Sequence, residues 1–339
     1  MKRLAGIGVS ALLAGALVYG QNWAQSPLVI TASNASANQL LVYSSTGSLL
    51  QTVATRGQGG ASGNAGGIAV RENRMAAVVN FGSKSVSVFQ RAGNGFRLGQ
   101  VISTASSPVS VAFGHDHLYI LGTANVESHQ IFGFGINSNP DGVVPLFKAD
   151  GSAAQVGVLP HSLIISEKSN TIETVQLDGG GAVEGSATLV SDIPANVDTP
   201  FGLVTRGDNA YVTIAHADEI SLVRNGMVLT TTGSGTQHSP CWVALDGPFL
   251  FSSNSPSKSI SRYAVYGRNI IQDAAVAATL NGSPTDIAHR AGLVAVIDGA
   301  GQLSHLSIFD VDEDGNLTLK GSASISGSIN GVAVVGQPE

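Results

Sequence analysis

The stretch PCWVALDG, residues 240–247, decides the fold, because apolar runs of the same design recur along the chain. The runs are AGGIAV, PVSVAF, AAQVGV, PFGLVT, PCWVAL, PTDIAH and INGVAV. They start at Ala65, Pro108, Ala153, Pro200, Pro240, Pro284 and Ile329, so successive starts are 43, 45, 47, 40, 44 and 45 residues apart. Repeats of about 40–50 residues with four strands each are typical of β-propellers. Seven runs therefore predict seven blades.

The interior of each repeat agrees with four strands. Residues 68–90 and 242–267 both contain a turn, an apolar strand, a polar loop and an alternating strand, SKSVSVF or SKSISRY. Alternation with a period of two is typical of half-buried strands. A weaker fourth strand follows, such as GFRLGQVI or GNLTLKGSA. The prediction is an all-β, seven-bladed β-propeller with four antiparallel strands per blade.

The two ends of the chain complement each other. INGVAVV, residues 329–335, reads as an inner strand with no second or third strand after it, and residues 27–54 offer those strands. We expect the N-terminal strands to pair with the C-terminal strand, which closes the ring and removes open sheet edges. Residues 25–339 are predicted to form this single domain.

The N-terminus has the pattern of an export signal. Lys2 and Arg3 precede the apolar run LAGIGVSALLAGALVYG, and the small residues Gly20 and Ala24 are suitable cleavage positions. We interpret residues 1–24 as a signal peptide cleaved near 20–24, with an uncleaved membrane anchor as the alternative. The mature protein is then secreted or periplasmic and has no membrane span.

The amino-acid composition and net charge of the chain limit the kinds of molecule that it is expected to bind. Hydrophobic residues make up 43% and charged residues 12% of the chain, and the net charge is −6. Binding to nucleic acid needs clustered Lys and Arg, which this charge balance disfavours. We expect a monomer without a cofactor or metal, whose partner is a small-molecule ligand or an envelope protein.

The single cysteine, Cys241, lies in the inner-strand run of blade 6, so no intramolecular disulfide is possible. The corresponding position of other blades holds Val109, Phe201 or Thr285. A free Cys in such a position is usually inert packing, although a nucleophile remains the alternative.

The segments PHSLIISEKSNTIETVQLD, TPFGLVT, PCWVALDGPFLFSSNSPSKSISRYAV and AAVAATLNGSPTDIA resemble the secreted bacterial lactonase-like propellers. This is the carboxymuconate-cyclase-like or 6-phosphogluconolactonase-like family. The resemblance implies lactone chemistry by His, Glu and Arg on one face of the ring. Only Arg56 lies on that face, whereas Arg74, Arg206 and Arg290 fall in or beside turns on the other. No Arg pair carries over, which weakens an acidic-substrate interpretation.

The candidate site lies on the face where the loops into the inner strands meet those between second and third strands. His216 and His238 come from neighbouring blades, and imidazole suits general acid–base catalysis near neutral pH. We expect one of them to activate water while Glu167 or Glu219 orients it. The expected ligand-binding residues are Lys168, Asp286, Asp298, His129 and Arg56. Other titratable residues in these loops are Lys84, Glu127, Asp218, Lys258 and His305.

Structural explanations exist for several of these residues. Lys84 and Lys258 occur in matched SKS turns, which favours a structural role. DVDEDGNL at 310–317 reads as a turn rather than a calcium loop, and GQGGASGNAGG reads as a flexible loop.

The sequence therefore predicts an exported lactonase-like propeller that acts on or binds a small molecule at the channel mouth, by lactone hydrolysis if it is an enzyme. The alternative is a non-catalytic binding or scaffold propeller of the cell envelope.

Overall fold

The computed structural model describes residues 26–337, which form a ring of seven antiparallel sheets. The predicted seven-bladed β-propeller is thus confirmed. The predicted signal peptide, residues 1–24, lies outside the described residues. Among residues 26–337 there is no helix with the length and hydropathy that a membrane crossing requires.

The ring contains 29 strands within the described residues. In chain order they are β1 (Leu28–Ala32), β2 (Gln39–Ser44), β3 (Leu49–Ala54), β4 (Ile68–Arg71), β5 (Met75–Asn80), β6 (Ser85–Ala92), β7 (Gly95–Ser103), β8 (Pro108–Phe113), β9 (His117–Gly122), β10 (Asn125–Phe132), β11 (Gly135–Ile136), β12 (Gly142–Pro145), β13 (Ala153–Val158), β14 (Ser162–Glu167), β15 (Thr171–Leu177), β16 (Val183–Leu189), β17 (Pro200–Arg206), β18 (Asn209–Ile214), β19 (Glu219–Arg224), β20 (Met227–Gly233), β21 (Pro240–Asp246), β22 (Phe249–Asn254), β23 (Ser259–Tyr266), β24 (Asn269–Thr279), β25 (Ser283–Arg290), β26 (Leu293–Ala300), β27 (Leu303–Val311), β28 (Leu317–Ser326) and β29 (Asn330–Val335). Two single turns of 3₁₀ helix, Phe81–Ser83 and Ala215–Ala217, link second to third strands.

Blade 1 contains both ends of the described chain. Its strand order is β29-β1-β2-β3, so the C-terminal strand is innermost. β29 pairs antiparallel with β1, with Leu28 opposite Val335 and Ile30 opposite Ala333. The predicted closure of the ring is confirmed, and the pairing removes two free sheet edges.

The other six blades each use consecutive strands, beginning with β4, β8, β13, β17, β21 and β25 as inner strands. Blade 3 departs from the four-strand pattern. Its outer position is divided between β11 and β12, which both pair with β10. The intervening residues 137–141, NSNPD, favour turns and interrupt the outer strand.

The hydrophobic core of the described residues is divided among the junctions between neighbouring blades. Val29 and Val332 of blade 1 pack with Ile297 of blade 7, for example, whereas Tyr211 of blade 5 packs with Tyr263 of blade 6. Second strands are covered on both faces, as in β5, where all six residues are buried. This explains why the second strands read as continuous apolar runs.

We predict that Phe251→Ala lowers the free energy of unfolding by about 3–5 kcal/mol, because it removes a fully buried ring from the core between blades 6 and 7. Phe132→Ala is the matched control, since Phe132 is 58% exposed. We expect it to change stability by less than about 0.5 kcal/mol. Urea denaturation of both variants is the measurement, and equal midpoints would contradict the assignment of Phe251 to the core.

Candidate functional site

One face of the ring carries two kinds of loop. Because neighbouring strands are antiparallel, the start of each inner strand lies beside the end of the second strand, as with Pro240 and Asn254. Loops into inner strands and loops between second and third strands therefore share this face, which we call the loop face. The opposite end of the ring is called the far face. His216 and His238 are on the loop face, as expected.

The loop at residues 56–67, which we call the plug loop, crosses the axis of the ring. Asn64 Nδ2 donates to Val109 O of blade 3 at 2.6 Å, and Asn330 Nδ2 of blade 1 donates to Asn64 Oδ1 at 2.8 Å. Trp242 Nε1 of blade 6 donates to Asn64 O at 3.1 Å. Ala65 N donates to Ala154 O of blade 4 at 3.1 Å. The loop thus binds the inner strands of four blades at once.

The plug loop changes two expectations from the sequence. We expected a flexible loop, but Asn64 is 3% and Ala65 2% exposed, because both are packed among the inner strands. We also expected the central channel to open on the loop face, whereas these residues close it there. A ligand on the loop face therefore meets the outer side of the plug loop, and the channel below it is a separate space.

His238 meets a carboxylate on the loop face. Its Nδ1–H donates to Asp218 Oδ2 at 2.8 Å, and Ser239 N donates to Asp218 Oδ1 at 2.7 Å. Because both carboxylate oxygens have a partner, Asp218 is held in place and in turn orients the imidazole ring. The His238 side chain is 66% exposed, and its Nε2 is the ring nitrogen left for a ligand or water.

His216 has a similar but looser arrangement. Its Nδ1 lies 2.9 Å from Thr199 Oγ1 and 3.4 Å from Asp198 Oδ1, and its side chain is 62% exposed. Within residues 26–337 the structure shows no hydrogen bond between His216 and His238. The two imidazoles, which come from neighbouring blades, lie beside separate carboxylates, Asp198 and Asp218.

The orienting acids differ from those expected. Glu219 Oε1 accepts a hydrogen bond from Asn196 Nδ2 at 3.1 Å, and the acid that bonds His238 is Asp218. Asp218 takes the orienting position because its backbone is in the left-handed region, with φ of 58°. Lys84 and Lys258 have the same conformation at the matching place in blades 2 and 6, with φ of 48° and 50°. Their predicted structural role agrees with this shared geometry, whereas the sequence offered no signal that Asp218 would orient His238.

Glu167 is buried in blade 4 rather than placed on the loop face as a free base. Glu167 and the neighbouring Glu173 are both 0% exposed to solvent. Ser152 Oγ donates to Glu167 Oε2 at 3.3 Å, and Phe147 N donates to Glu173 Oε2 at 2.8 Å. Burial, followed by the neighbouring Glu173 charge, raises the pKa of Glu167 to about 8, and burial also raises the pKa of Glu173. With its pKa raised to about 8, the Glu167 carboxyl retains its proton at neutral pH.

The two expected cationic ligand-binding residues have different surroundings. Lys168 Nζ donates to Gly63 O at 2.5 Å and so holds the plug loop against blade 4. Burial lowers the pKa of Lys168. Arg56 is exposed at the start of the plug loop, with φ of 63°. Lys168 is thus occupied by a structural contact, and Arg56 remains accessible.

His129 does not lie in a loop of this face. β10 begins at Asn125, so Glu127 and His129 are strand residues, 2% and 0% exposed. His129 Nε2 lies 3.3 Å from Glu127 Oε2, and its Nδ1 lies 2.9 Å from Asn137 O. The loop between second and third strands is shorter in blade 3 than the sequence suggested, which moves His129 into the sheet and away from any ligand on the surface.

Asp298 occupies a position that repeats between blades. It is fully buried at the end of β26, and His305 Nδ1–H donates to its Oδ1 at 2.8 Å. In blades 2 and 6 the same positions hold Asn80 with Ser85 and Asn254 with Ser259, also joined by hydrogen bonds. The Asp–His pair of blade 7 therefore replaces a structural Asn–Ser pair.

Asp286 is on the inner strand β25 and lines the central channel beneath the plug loop. It is 5% exposed, and Val332 N of blade 1 donates to its Oδ2 at 3.3 Å. The sequence placed it in a loop because Pro284 was taken as the edge of the strand. Asp286 is thus separated from His216 and His238 by the plug loop.

Cys241 is a packing residue at the hydrophobic core. It lies against the cluster that includes Phe201 and Trp242, whose rings meet edge to face at 5.1 Å. Burial raises the pKa of Cys241 to about 12, so the thiol stays protonated and is a poor nucleophile.

The acidic segment after β27 forms a turn, as predicted. Asp312 Oδ1 accepts hydrogen bonds from Asp314 N and Asn316 N at 3.0 and 2.8 Å. Within residues 26–337 no group of three or more His, Cys, Asp or Glu side chains is arranged to hold a metal ion.

Comparison with known proteins shows that the fold of this chain is similar to that of several solved structures. No family model and no curated protein matches the sequence. A 6-phosphogluconolactonase candidate from Bacteroides uniformis superposes with a TM-score of 0.67 at 14% identity, covering 92% of this chain and 100% of that one. A second such candidate, from Bacteroides fragilis, gives 0.65 at 14% identity, covering 92% and 99%. Virginiamycin B lyase from Staphylococcus aureus gives 0.55 at 12% identity, covering 81% and 92%. At these identities the likeness establishes the propeller fold alone.

We predict that Glu167→Gln removes part of the pH dependence of stability. The folded pKa of Glu167, about 8, exceeds its ordinary value of 4.5, so the folded protein binds the proton more tightly than the unfolded chain does. The free energy of unfolding should therefore fall as pH rises from 4.5 to 8, by at most about 1.4 kcal/mol per pH unit for one such group. Gln mimics the protonated form, so the variant should show a shallower fall in that window.

The matched control is Glu184→Gln, which changes an exposed glutamate of the same blade. Urea denaturation at several pH values measures the slopes. Asp286 adds a slope of the same sign in both proteins, so the difference between wild type and variant is the test. A Glu167→Gln slope equal to that of wild type would contradict the raised pKa of Glu167 in the folded protein.

Proposed function

We propose that this protein is a lactonase-like propeller that hydrolyses a small lactone on the loop face, with His238 as general base and Asp218 as its positioning residue. The observation that supports this most directly is the Asp218–His238 pair. Its 2.8 Å hydrogen bond leaves His238 Nε2 to accept a proton from water. The similarity of the fold to 6-phosphogluconolactonase candidates makes lactones the first substrate class to test.

The proposed reaction needs one water molecule and no cofactor. His238 Nε2 takes a proton as the water oxygen attacks the lactone carbonyl carbon. The ring C–O bond then breaks, and the protonated imidazole returns the proton to the departing alkoxide. The product is the open hydroxy acid. Asp218 stabilises the imidazolium that forms between these two transfers.

Arg56 is exposed on the same face, but it lies between blades 1 and 2, whereas His238 lies between blades 5 and 6, on the other side of the ring. No Arg pair carries over from the family resemblance either. We therefore propose a neutral lactone as the substrate at His238.

The second candidate is a non-catalytic binding propeller of the cell envelope. It is favoured by the exposure of both histidines, 62% and 66%, which is high for residues of an active site. Phe132 and Phe134 on the outer edge of blade 3 are also 58% and 52% exposed, and aromatic side chains of this kind are common in protein interfaces. Export remains a proposal for either function, based on the pattern of residues 1–24.

We predict that His238→Ala lowers kcat for lactone hydrolysis by about 100-fold or more, because removal of a general base typically costs a factor of 10²–10⁴. Asp218→Asn should also lower kcat, since the ring would lose its orientation. A panel of five- and six-membered lactones, assayed by titration of released acid, is the measurement.

The matched control is His115→Ala. His115 is another exposed histidine held by an aspartate, with Nδ1 2.8 Å from Asp116 Oδ2, but it lies in a far-face turn. We expect it to keep full activity. Equal activity of wild type and His238→Ala, or hydrolysis of none of the lactones by wild type, would reject the catalytic proposal and favour the binding protein.

A further inference from the structure

The central cavity lies beneath the plug loop and has a volume of about 260 Å³. Its closed end is lined by Gly66 and Asp286, and it extends along the inner strands to Val204 and Arg290 near the far face. Since the plug loop closes the ring on the loop face, the cavity is reached from the far face. This separates it from the proposed lactone site.

The closed end contains a carboxylate that the fold does not require. Asp286 accepts Val332 N of the next blade, which joins two neighbouring inner strands. Ser110 Oγ accepts Val156 N, and Gln155 Oε1 accepts Leu203 N, at the corresponding positions of other blades. A neutral side chain therefore suffices for this bond between blades, and the charge of Asp286 is additional.

No cation of the described chain offsets this charge. Asp286 forms no salt bridge within residues 26–337, and its carboxylate accepts hydrogen bonds from backbone N–H groups, including Ile287 N at 2.9 Å. Burial consequently raises its pKa to about 7. A buried carboxylate without a counter-ion is costly, and a cationic ligand would remove that cost.

Gln155 and Trp242 line the cavity at the level of Asp286, whereas the walls below that level are small and apolar. Ala69, Ala288 and Ala333 line the cavity on three inner strands. The space therefore has room for a short alkyl chain and a few waters.

We propose that the central cavity binds a small primary amine, with the ammonium group on the Asp286 carboxylate and the alkyl chain among Ala69, Ala288 and Ala333. The other titratable or charged groups that line the cavity are His289 and Arg290. His289 Nε2 lies 3.4 Å from Asp246 Oδ2, and Arg290 is four residues from Asp286, about 13 Å along the strand. Arg290 disfavours a second ammonium group, so the site selects monoamines.

The experiment titrates wild-type protein with n-butylammonium chloride by calorimetry, with 1-butanol and 1,4-diaminobutane as comparison ligands. We expect n-butylammonium to bind with 1:1 stoichiometry and the two others at least tenfold more weakly. Because the ionised fraction of Asp286 rises about tenfold between pH 6 and pH 8, Kd should fall by about tenfold over that interval.

Asp286→Asn should weaken binding of n-butylammonium at least tenfold, and Asp314→Asn, in an exposed turn, is the matched control that should leave it unchanged. Ala288→Leu, which fills the cavity and keeps the carboxylate, should also abolish binding. The pH profile of wild type provides the test if the Asn variant does not fold. Absence of binding to wild type would overturn the proposal and leave a cavity for water. Equal binding by Asp286→Asn, or equal binding of 1-butanol, would overturn it too, since the carboxylate would then not select the ligand. None of these outcomes depends on His238.

Discussion

The antiparallel pairing of β29 with β1 is the constraint on which the rest of the structure depends. It joins residues some 300 positions apart in the chain, such as Leu28 and Val335, within one sheet. Each blade buries its apolar faces only against its two neighbours, so an open ring would leave the faces of two blades exposed to water. Closure also brings loops from all blades around a single axis. The plug loop can bind four blades simultaneously only because those blades are fixed relative to one another in a closed ring.

The plug loop in turn divides the molecule into two chemically different spaces. Outside it, on the loop face, exposed imidazoles lie beside aspartates in contact with solvent. Beneath it, the cavity is small, has apolar walls and contains one uncompensated carboxylate, Asp286. Electrostatic interactions with a ligand are screened by water in the first space and much less in the second. A hydrolytic site that exchanges water and a binding site that selects by charge are consistent with these two environments.

Comparison of equivalent positions in different blades separates structural from functional roles. Asn80 and Asn254 show that the end of a second strand needs a polar side chain to bond the start of the third. Asp298 with His305 meets the same need, so this pair requires no further explanation. Asp286 meets the need for an acceptor between blades but adds a charge that Ser110 and Gln155 do not have. Asp218 shares its left-handed backbone with Lys84 and Lys258, and of these three side chains it is that of Asp218 that orients a histidine.

The sequence by itself determined the number of blades, the order of their strands and the closure by the two ends of the chain. These follow from hydrophobic periodicity and turn residues, which act over a few positions and repeat seven times. It also placed His216, His238 and Arg56 on one face, since the strand count settles which end of a blade each loop occupies. Tertiary structure alone decided that Asp218 orients His238, that Glu167 is buried beside Glu173, and that residues 56–67 close the channel. Side-chain partners and burial depend on contacts between blades far apart in the chain, and no local pattern encodes those distances.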